Sequence, residues 1–247
     1  MSKIKLSNNI IIANKVFHKT FYIFNPLFLL MKKRTKLNFG GNNQIIFTNN
    51  DKNANNKEIF KFIKENKLKI NISPNIQNCI IKIDITSKLT DSTININNTN
   101  VHINIGKNNK ICNSHFDFVG YKNQILDIGD NNTILGVDFL ITKCPGIEIK
   151  NDCLISFDVR FWPSDGHNIK NIKDKMIIND AQKPIIINNH TWIAHGVKIL
   201  KEVSIPANTI IGAYSVVTTH FEEENTIIAG NPAKIIKKDM EWDINII

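Results

Sequence analysis

"INNHTWIAHGVKILKEVSIPANTIIGAYSVV", residues 187–217, places isoleucine at 187, 193, 199, 205 and 211, every sixth residue. Four places after each stands Thr191, Val197, Val203, Thr209 or Ser215, all small or β-branched. Helices repeat near 3.6 residues and strands near 2, so neither gives a strict six. A chain that turns a corner after every short strand does. Ile187 to Ile205 is 18 residues, three hexads, one coil of a three-sided prism.

The same unit occurs upstream. "IGKNNKI" (105–111), "IGDNNTI" (128–134), "IKNDCLI" (149–155), "INNHTWI" (187–193) and "IPANTII" (205–211) each carry isoleucine first and seventh. Asn or Asp recurs at or beside the fourth place, where a corner needs a residue that tolerates left-handed backbone angles. Stacked units of this kind make a solenoid, in which each turn buries its isoleucines on the next. From Ile105 to Ile128 is 23 residues and from Ile128 to Ile149 is 21, so the earlier coils are longer. From Ile149 to Ile187 is 38, one coil plus an excess of about 20 residues. The excess falls in "PSDGHNIKNIKDKMIINDAQKP" (163–184), polar, bounded by prolines and off the hexad register. It is expected to leave the wall as a loop, and long excursions from rigid scaffolds often carry function.

Further upstream "IIKIDITSKLTDSTININNTNVHINIG" (80–106) alternates as short strands and continues the solenoid. "NKEIFKFIKENKLK" (56–69) has apolar residues at helical spacing. Residues 1–70 read as an N-terminal cap or small module, 71–232 as the β-helix, and 233–247 as a short closing helix or tail. Solenoid ends require such caps.

Composition bounds the partners. The chain has 247 residues, 42% hydrophobic, with 31 Lys and Arg against 22 Asp and Glu, a net charge of +9. This suits a soluble globular protein with an anionic ligand: a phosphorylated cofactor, an acidic sugar or a membrane surface. Aromatic residues are few and there is neither a basic helix nor a zinc pattern, which argues against nucleic acid. Cys79, Cys112, Cys144 and Cys153 form no CxxC pair, so a reduced, cytoplasmic compartment is the simplest expectation. Cys153 holds a small-residue place of its hexad and is assigned to core packing. "FYIFNPLFLLMKKR" (21–34) is too short and interrupted to span a bilayer. It reads either as a buried apolar element or as a peripheral contact with anionic lipid at the inner face of the membrane, through Lys32, Lys33 and Arg34.

The hexads, together with "GNPAKII" (230–236), resemble the hexapeptide-repeat acyltransferases, over roughly residues 100–240. The resemblance implies an all-β fold, a left-handed parallel β-helix, assembled as a homotrimer with acetyl-CoA between neighbouring prisms. "SDGHNI" (164–169), then "IND" (178–180), then "HTWIAHGVKIL" (190–200) is similar to the O-acetyltransferases of bacterial capsule and lipooligosaccharide, including those that modify sialic acid. That likeness makes His167 the general base on an acceptor hydroxyl, a task suited to the pKa of imidazole. It places Trp192 at the active site, where its indole N–H could serve substrate or a developing oxyanion. Asp165 is close enough in sequence to orient the imidazole, and it is equally well read as a turn residue. The positions that bind the coenzyme correspond to Ala194, Ala213, Thr218, Pro232 and Lys234, with Lys237 and Lys238 near the phosphates. Arg160 and Trp162 are assigned to an anionic glycan acceptor, Arg160 through a carboxylate. The family usually has Gly where Ala194 stands, and Lys-Asp where Thr219-His220 stand.

Rival readings remain at this point. An amino-sugar N-acetyltransferase would use the same base. His190, His195 and His167 on a β-helix also suggest a zinc protein like the γ-class carbonic anhydrases, but their register differs, so no metal is expected and the two wall histidines are read as bystanders. A non-catalytic scaffold is the last alternative.

Overall fold

The computed structural model describes residues 41–120 and 123–244, with the backbone of strands Ile10–Val16, Lys19–Tyr22 and Lys36–Phe39. Residues 23–35, which hold nearly all of the candidate membrane stretch, lie outside the described residues. No helix among the described residues is long and apolar enough to cross a membrane.

Three parallel sheets form the walls of a left-handed β-helix. The first wall begins with Lys19–Tyr22 and Ile10–Val16 and continues from Leu68–Ile72 through Ser92–Ile96, His115–Val119, Asp138–Thr142, Arg160–Trp162 and Lys198–Leu200 to Val216–Val217. The second runs from Asn43–Asn49 to Ser204–Ile205, and the third from Lys88–Thr90 to Ile227–Gly230, with Ala233–Lys237 added at its edge.

The hexad isoleucines meet coil on coil. Ile105, Ile128, Ile149, Ile187 and Ile205 are successive partners on the second wall. Ile111, Ile134, Ile155, Ile193 and Ile211 are successive partners on the third. The first wall carries a column that the hexads do not announce: Phe116, Phe139 and Phe161, then Ile199 and Val217. Phe139 stacks 4.6 Å from Phe116 and 4.7 Å from Phe161, nearly parallel to both. Parallel pairing in exact register sets this stack, since equivalent side chains then repeat at the strand spacing. Every side chain of the three columns is buried.

The corners follow the same logic. Asn108, Asn131, Asp152, His190 and Asn208 occupy one corner, all at φ between 55° and 61°. Asn108 donates to Asn131 at 3.3 Å, and Asn131 to Asp152 at 3.1 Å. Cys153 lies just inside, its thiol donating to the Asn188 carbonyl at 3.2 Å, and burial pushes its pKa up to about 12.

Both ends are closed. The helix Asn56–Glu65 begins with a capping box, in which Asn55 accepts from the Glu58 amide and the Glu58 side chain accepts from the Asn55 amide. It occupies the place where the third wall stops at Lys88–Thr90. Its Ile59, Phe62 and Ile63 join the prism's own core cluster. Asn66 ties the helix end to the wall, accepting from the Leu89 amide at 2.6 Å and donating to the Phe62 carbonyl at 2.9 Å. At the other end the closing element is a strand and not a helix. Ala233–Lys237 turns back at Asn231-Pro232 and pairs antiparallel with Ile227–Gly230, because β-branched Ile235 and Ile236 suit an edge already offering backbone partners.

Segment 163–184 leaves the prism between Arg160–Trp162 on the first wall and Ile185–Ile187 on the second, as the 38-residue interval requires. Phe139 sits mid-column with aromatic neighbours on both sides. Phe139→Ala is expected to lower unfolding free energy by about 3–5 kcal/mol in denaturant titration, with Phe139→Leu recovering more than half.

Candidate functional site

The 163–184 loop is a twisted hairpin. The Asn171 amide donates to the Met176 carbonyl and the Ile178 amide to the Ile169 carbonyl, both at 2.9 Å. Its root is clamped from both neighbouring coils. Lys143, which follows the strand Asp138–Thr142, pairs with Asp180 at 2.6 Å and also donates to the Asn168 side chain. Lys201, which follows Lys198–Leu200, pairs with Asp165 and donates to the Asn179 carbonyl at 3.2 Å. Ser164 and Thr142 share a hydroxyl–hydroxyl bond of 2.6 Å beneath. The Gln182 amide donates to the Glu202 carboxylate at 2.7 Å where the loop returns.

His167 is carried at the top of this root. Its amide donates to the Asp165 carbonyl at 2.8 Å across Gly166, whose φ of 73° allows the tight turn. Its carbonyl accepts from the Asn179 side chain at 2.8 Å. The imidazole is exposed and makes no hydrogen bond among the described residues. The Asp165 carboxylate is engaged by Lys201 and by Asn179 at 2.8 Å, so it anchors the loop and makes no hydrogen bond to the imidazole. The Lys201 ammonium holds the Asp165 carboxyl below its ordinary value of 3.8, with Asn179 aiding and partial burial opposing.

Beside the root lies an open cavity of about 560 Å³, lined by Trp162, Ser164, Asp165, Leu200, Lys201, Glu202, Thr218, Thr219 and His220. Trp162 is 38% exposed, and the Arg160 guanidinium lies 5.8 Å from its ring centroid. Arg160 already pairs with Asp138 at 3.1 Å, so an acceptor carboxylate would share or displace that partner.

The structure brings Asp165, Trp162 and Thr218 together around this cavity and leaves the other expected site residues elsewhere. Trp192 faces outward on the third wall, between Leu154 and Ile210. Ala194 and Ala213 lie at the corner beyond that wall, the Ala194 amide donating to the Ile211 carbonyl at 3.0 Å. Pro232 and Lys234 lie in the terminal hairpin with Lys237, and Lys238 pairs with Glu223 at 2.8 Å. Neither wall histidine is idle. His190 stacks on Trp242, and His195 meets the Tyr214 ring edge-on at 5.2 Å. No group of three His, Cys, Asp or Glu side chains among the described residues is placed to hold a metal ion. The sequence reading missed Lys143, Lys201 and Trp242, whose partners lie dozens of residues away. Asn179, which ties the loop on itself, was visible as the middle of "IND".

This fold recurs in known proteins. The crystal structure of the polysialic-acid-specific acetyltransferase NeuO superposes with a TM-score of 0.64 at 34% identity, covering 72% of this chain and 81% of that one. The chain belongs to the hexapeptide-repeat acyltransferase family. The family's polysialic acid O-acetyltransferase OatWY superposes with a TM-score of 0.58 at 29% identity, covering 73% of this chain and 92% of that one. A polysialic acid O-acetyltransferase of Escherichia coli O1:K1 is 37% identical over 142 residues, 57% of this chain. The match spans 44% of that curated relative, less than half its length. No protein-family model matches the chain.

The clamp makes a prediction with a definite sign. A carboxyl whose folded pKa is depressed stabilises the fold fully above its unfolded value, and that contribution is lost as pH falls through the folded value. The Asp165–Lys201 anchor is therefore expected to hold from about pH 8 to pH 5, and to weaken only below the ordinary 3.8. In hydrogen–deuterium exchange at neutral pH, Lys201→Met should speed exchange of the amides of residues 164–180 about ten-fold, leaving the wall strands protected.

Proposed function

We propose that this protein transfers an acetyl group from acetyl-CoA to a hydroxyl of an acidic bacterial surface glycan, with sialic acid as the acceptor sugar and His167 as general base. One observation carries the reading: a doubly clamped loop holds His167, free of side-chain partners among the described residues, two residues beyond Asp165, which lines an open cavity at the loop root. The relatives named for polysialic acid supply the acceptor class, and the net charge of +9 favours a polyanion.

Acetyl-CoA, when bound, supplies the thioester. The cavity fits a slender uncharged chain: Trp162, Leu200, Thr218 and Thr219 offer a mixed wall, while Lys201 there is already paired with Asp165. Lys234 and Lys237 form no ion pair among the described residues and are exposed for phosphates. His167 takes the proton of the acceptor hydroxyl as that oxygen attacks the acetyl carbon, and returns a proton to the departing sulfur. Arg160, stacked near Trp162, meets the sugar carboxylate.

The loop root and Trp192 stand on different walls of one prism. A homotrimer resolves this, by seating the loop of one protomer against the third wall of the next. The loop carries Ile169, Ile172, Met176 and Ile178 exposed at 53%, 85%, 64% and 66%, an apolar edge suited to such a neighbour.

The test is kinetic. His167→Ala should lower kcat with acetyl-CoA and oligosialic acid about 10²–10⁴-fold, followed by free thiol, with the acetylated position read by mass spectrometry. Full activity in the variant overturns the base assignment, and acetyl transfer only to amino sugars favours the N-acetyl reading. Co-expressed His167→Ala and Trp192→Ala protomers, each inactive alone, should regain roughly a quarter of wild-type sites if each site spans two protomers.

A further inference from the structure

Trp242 is only 7% exposed, although it lies in the tail beyond the last strand. Its indole N–H donates to the His190 carbonyl at 2.9 Å, and its own carbonyl lies 3.2 Å from Nε2 of His190. The two rings stack at 4.4 Å with their planes 11° apart. Two more contacts lead the tail to this point. Lys238 pairs with Glu223 at 2.8 Å, and the Met240 amide donates to the Asn225 carbonyl at 2.8 Å.

The corner beneath explains what is unusual here. Asn108, Asn131, Asp152 and Asn208 hold the equivalent places at left-handed angles, and a short polar residue suffices for that. The angle does not call for an imidazole. The hydrogen-bonded ladder from Asn108 through Asn131 ends at Asp152, and His190 turns its ring to the tail. The result is a clasp with two hydrogen bonds and a stack, between residues 52 apart in sequence.

The clasp has a second neighbour. The Trp242 ring lies 6.0 Å from that of Trp192, inclined at 44°. Trp192 stands half-buried on an open wall, flanked along its row by the shorter Leu154 and Ile210. A tryptophan in that setting has several staggered orientations open to it. A rigid ring fixed against one side selects among them. We infer that Trp242, locked by His190, is a positioning residue that fixes the indole of Trp192 in its working orientation. The inference rests on the proposed place of Trp192 in the transferase site.

The experiment compares Trp242→Ala, Trp242→Phe, His190→Asn and Trp192→Ala with wild type, in kinetics and in ¹⁹F spectra of 5-fluorotryptophan-labelled protein. The chain has three tryptophans, and the Trp192 resonance is assigned by its loss in Trp192→Phe. Trp242→Ala should lower kcat about 10–100-fold while KM for acetyl-CoA stays within about three-fold, because orientation is lost and not the binding groove. Its Trp192 resonance should shift and broaden. Trp242→Phe keeps the stack and should restore most of the activity. His190→Asn suits the corner angle, removes the clasp and should reproduce the loss. Wild-type kcat and an unmoved Trp192 resonance in Trp242→Ala, beside an inactive Trp192→Ala, overturn the positioning role alone. A fully active Trp192→Ala overturns the site reading of Trp192, and this inference with it. If Trp242→Ala does not fold, the same outcomes are read from His190→Asn.

Discussion

Backbone pairing between successive coils governs everything else in this molecule. The Lys110 amide reaches the Asn132 carbonyl at 2.7 Å, Thr133 reaches Cys153 at 2.8 Å, Leu154 reaches Thr191 at 3.0 Å, and Trp192 reaches Thr209 at 2.9 Å. These bonds run parallel to the prism axis and admit no slippage, since a one-residue shift would turn every inward side chain out. Extra residues therefore leave at a corner or not at all. The 163–184 excursion obeys this: the Leu154 bond to Thr191 survives it, although the next coil begins far along the chain.

The same register furnishes the loop's rigidity. Asp138–Thr142, Arg160–Trp162 and Lys198–Leu200 are consecutive strands of one wall, and the loop departs from the middle one. Lys143 and Lys201 follow the strands on either side, about two strand spacings, or roughly 10 Å, apart. One lysine grips Asp180 and the other Asp165, so the carboxylates of the loop's two limbs are held to different coils. Exposed ion pairs are weak singly, but here each joins a flexible limb to a rigid wall alongside further hydrogen bonds. The spacing of the wall thus sets where His167 can stand.

What could be read from the sequence follows the range of the interactions. The isoleucine columns were legible because the hexad is a local period, and the residue intervals 23, 21, 38 and 18 matched strand partners one by one. The Asn-rich corners were legible because a left-handed angle is a single-residue preference. The phenylalanine column was not, since Phe116, Phe139 and Phe161 lie outside the quoted hexads and show their purpose only once stacked. The clamps were not, because nothing in "KILK" announces that Lys201 will meet an aspartate 36 residues earlier. The partner of His190 was hidden for the same reason. A histidine at a corner looks idle until the tail brings Trp242 across 52 residues.

The tail also sorts the cations that composition only counted. A surplus of nine positive charges says that an anion is welcome somewhere, not where. Lys143, Lys201 and Lys238 are committed to Asp180, Asp165 and Glu223, and the pairing raises the pKa of Lys238. Lys238 thereby serves to lead the chain toward the clasp. Lys234 and Lys237 sit in the terminal strand without ion pairs among the described residues. The pairing shifts register between them: Lys234 partners Ala229 and Lys237 partners Ile227, two places apart on the neighbouring strand, so the two lysines share a face despite their odd spacing. Of the three tail lysines assigned to the coenzyme from sequence, the geometry leaves these two uncommitted, on one side of the edge strand.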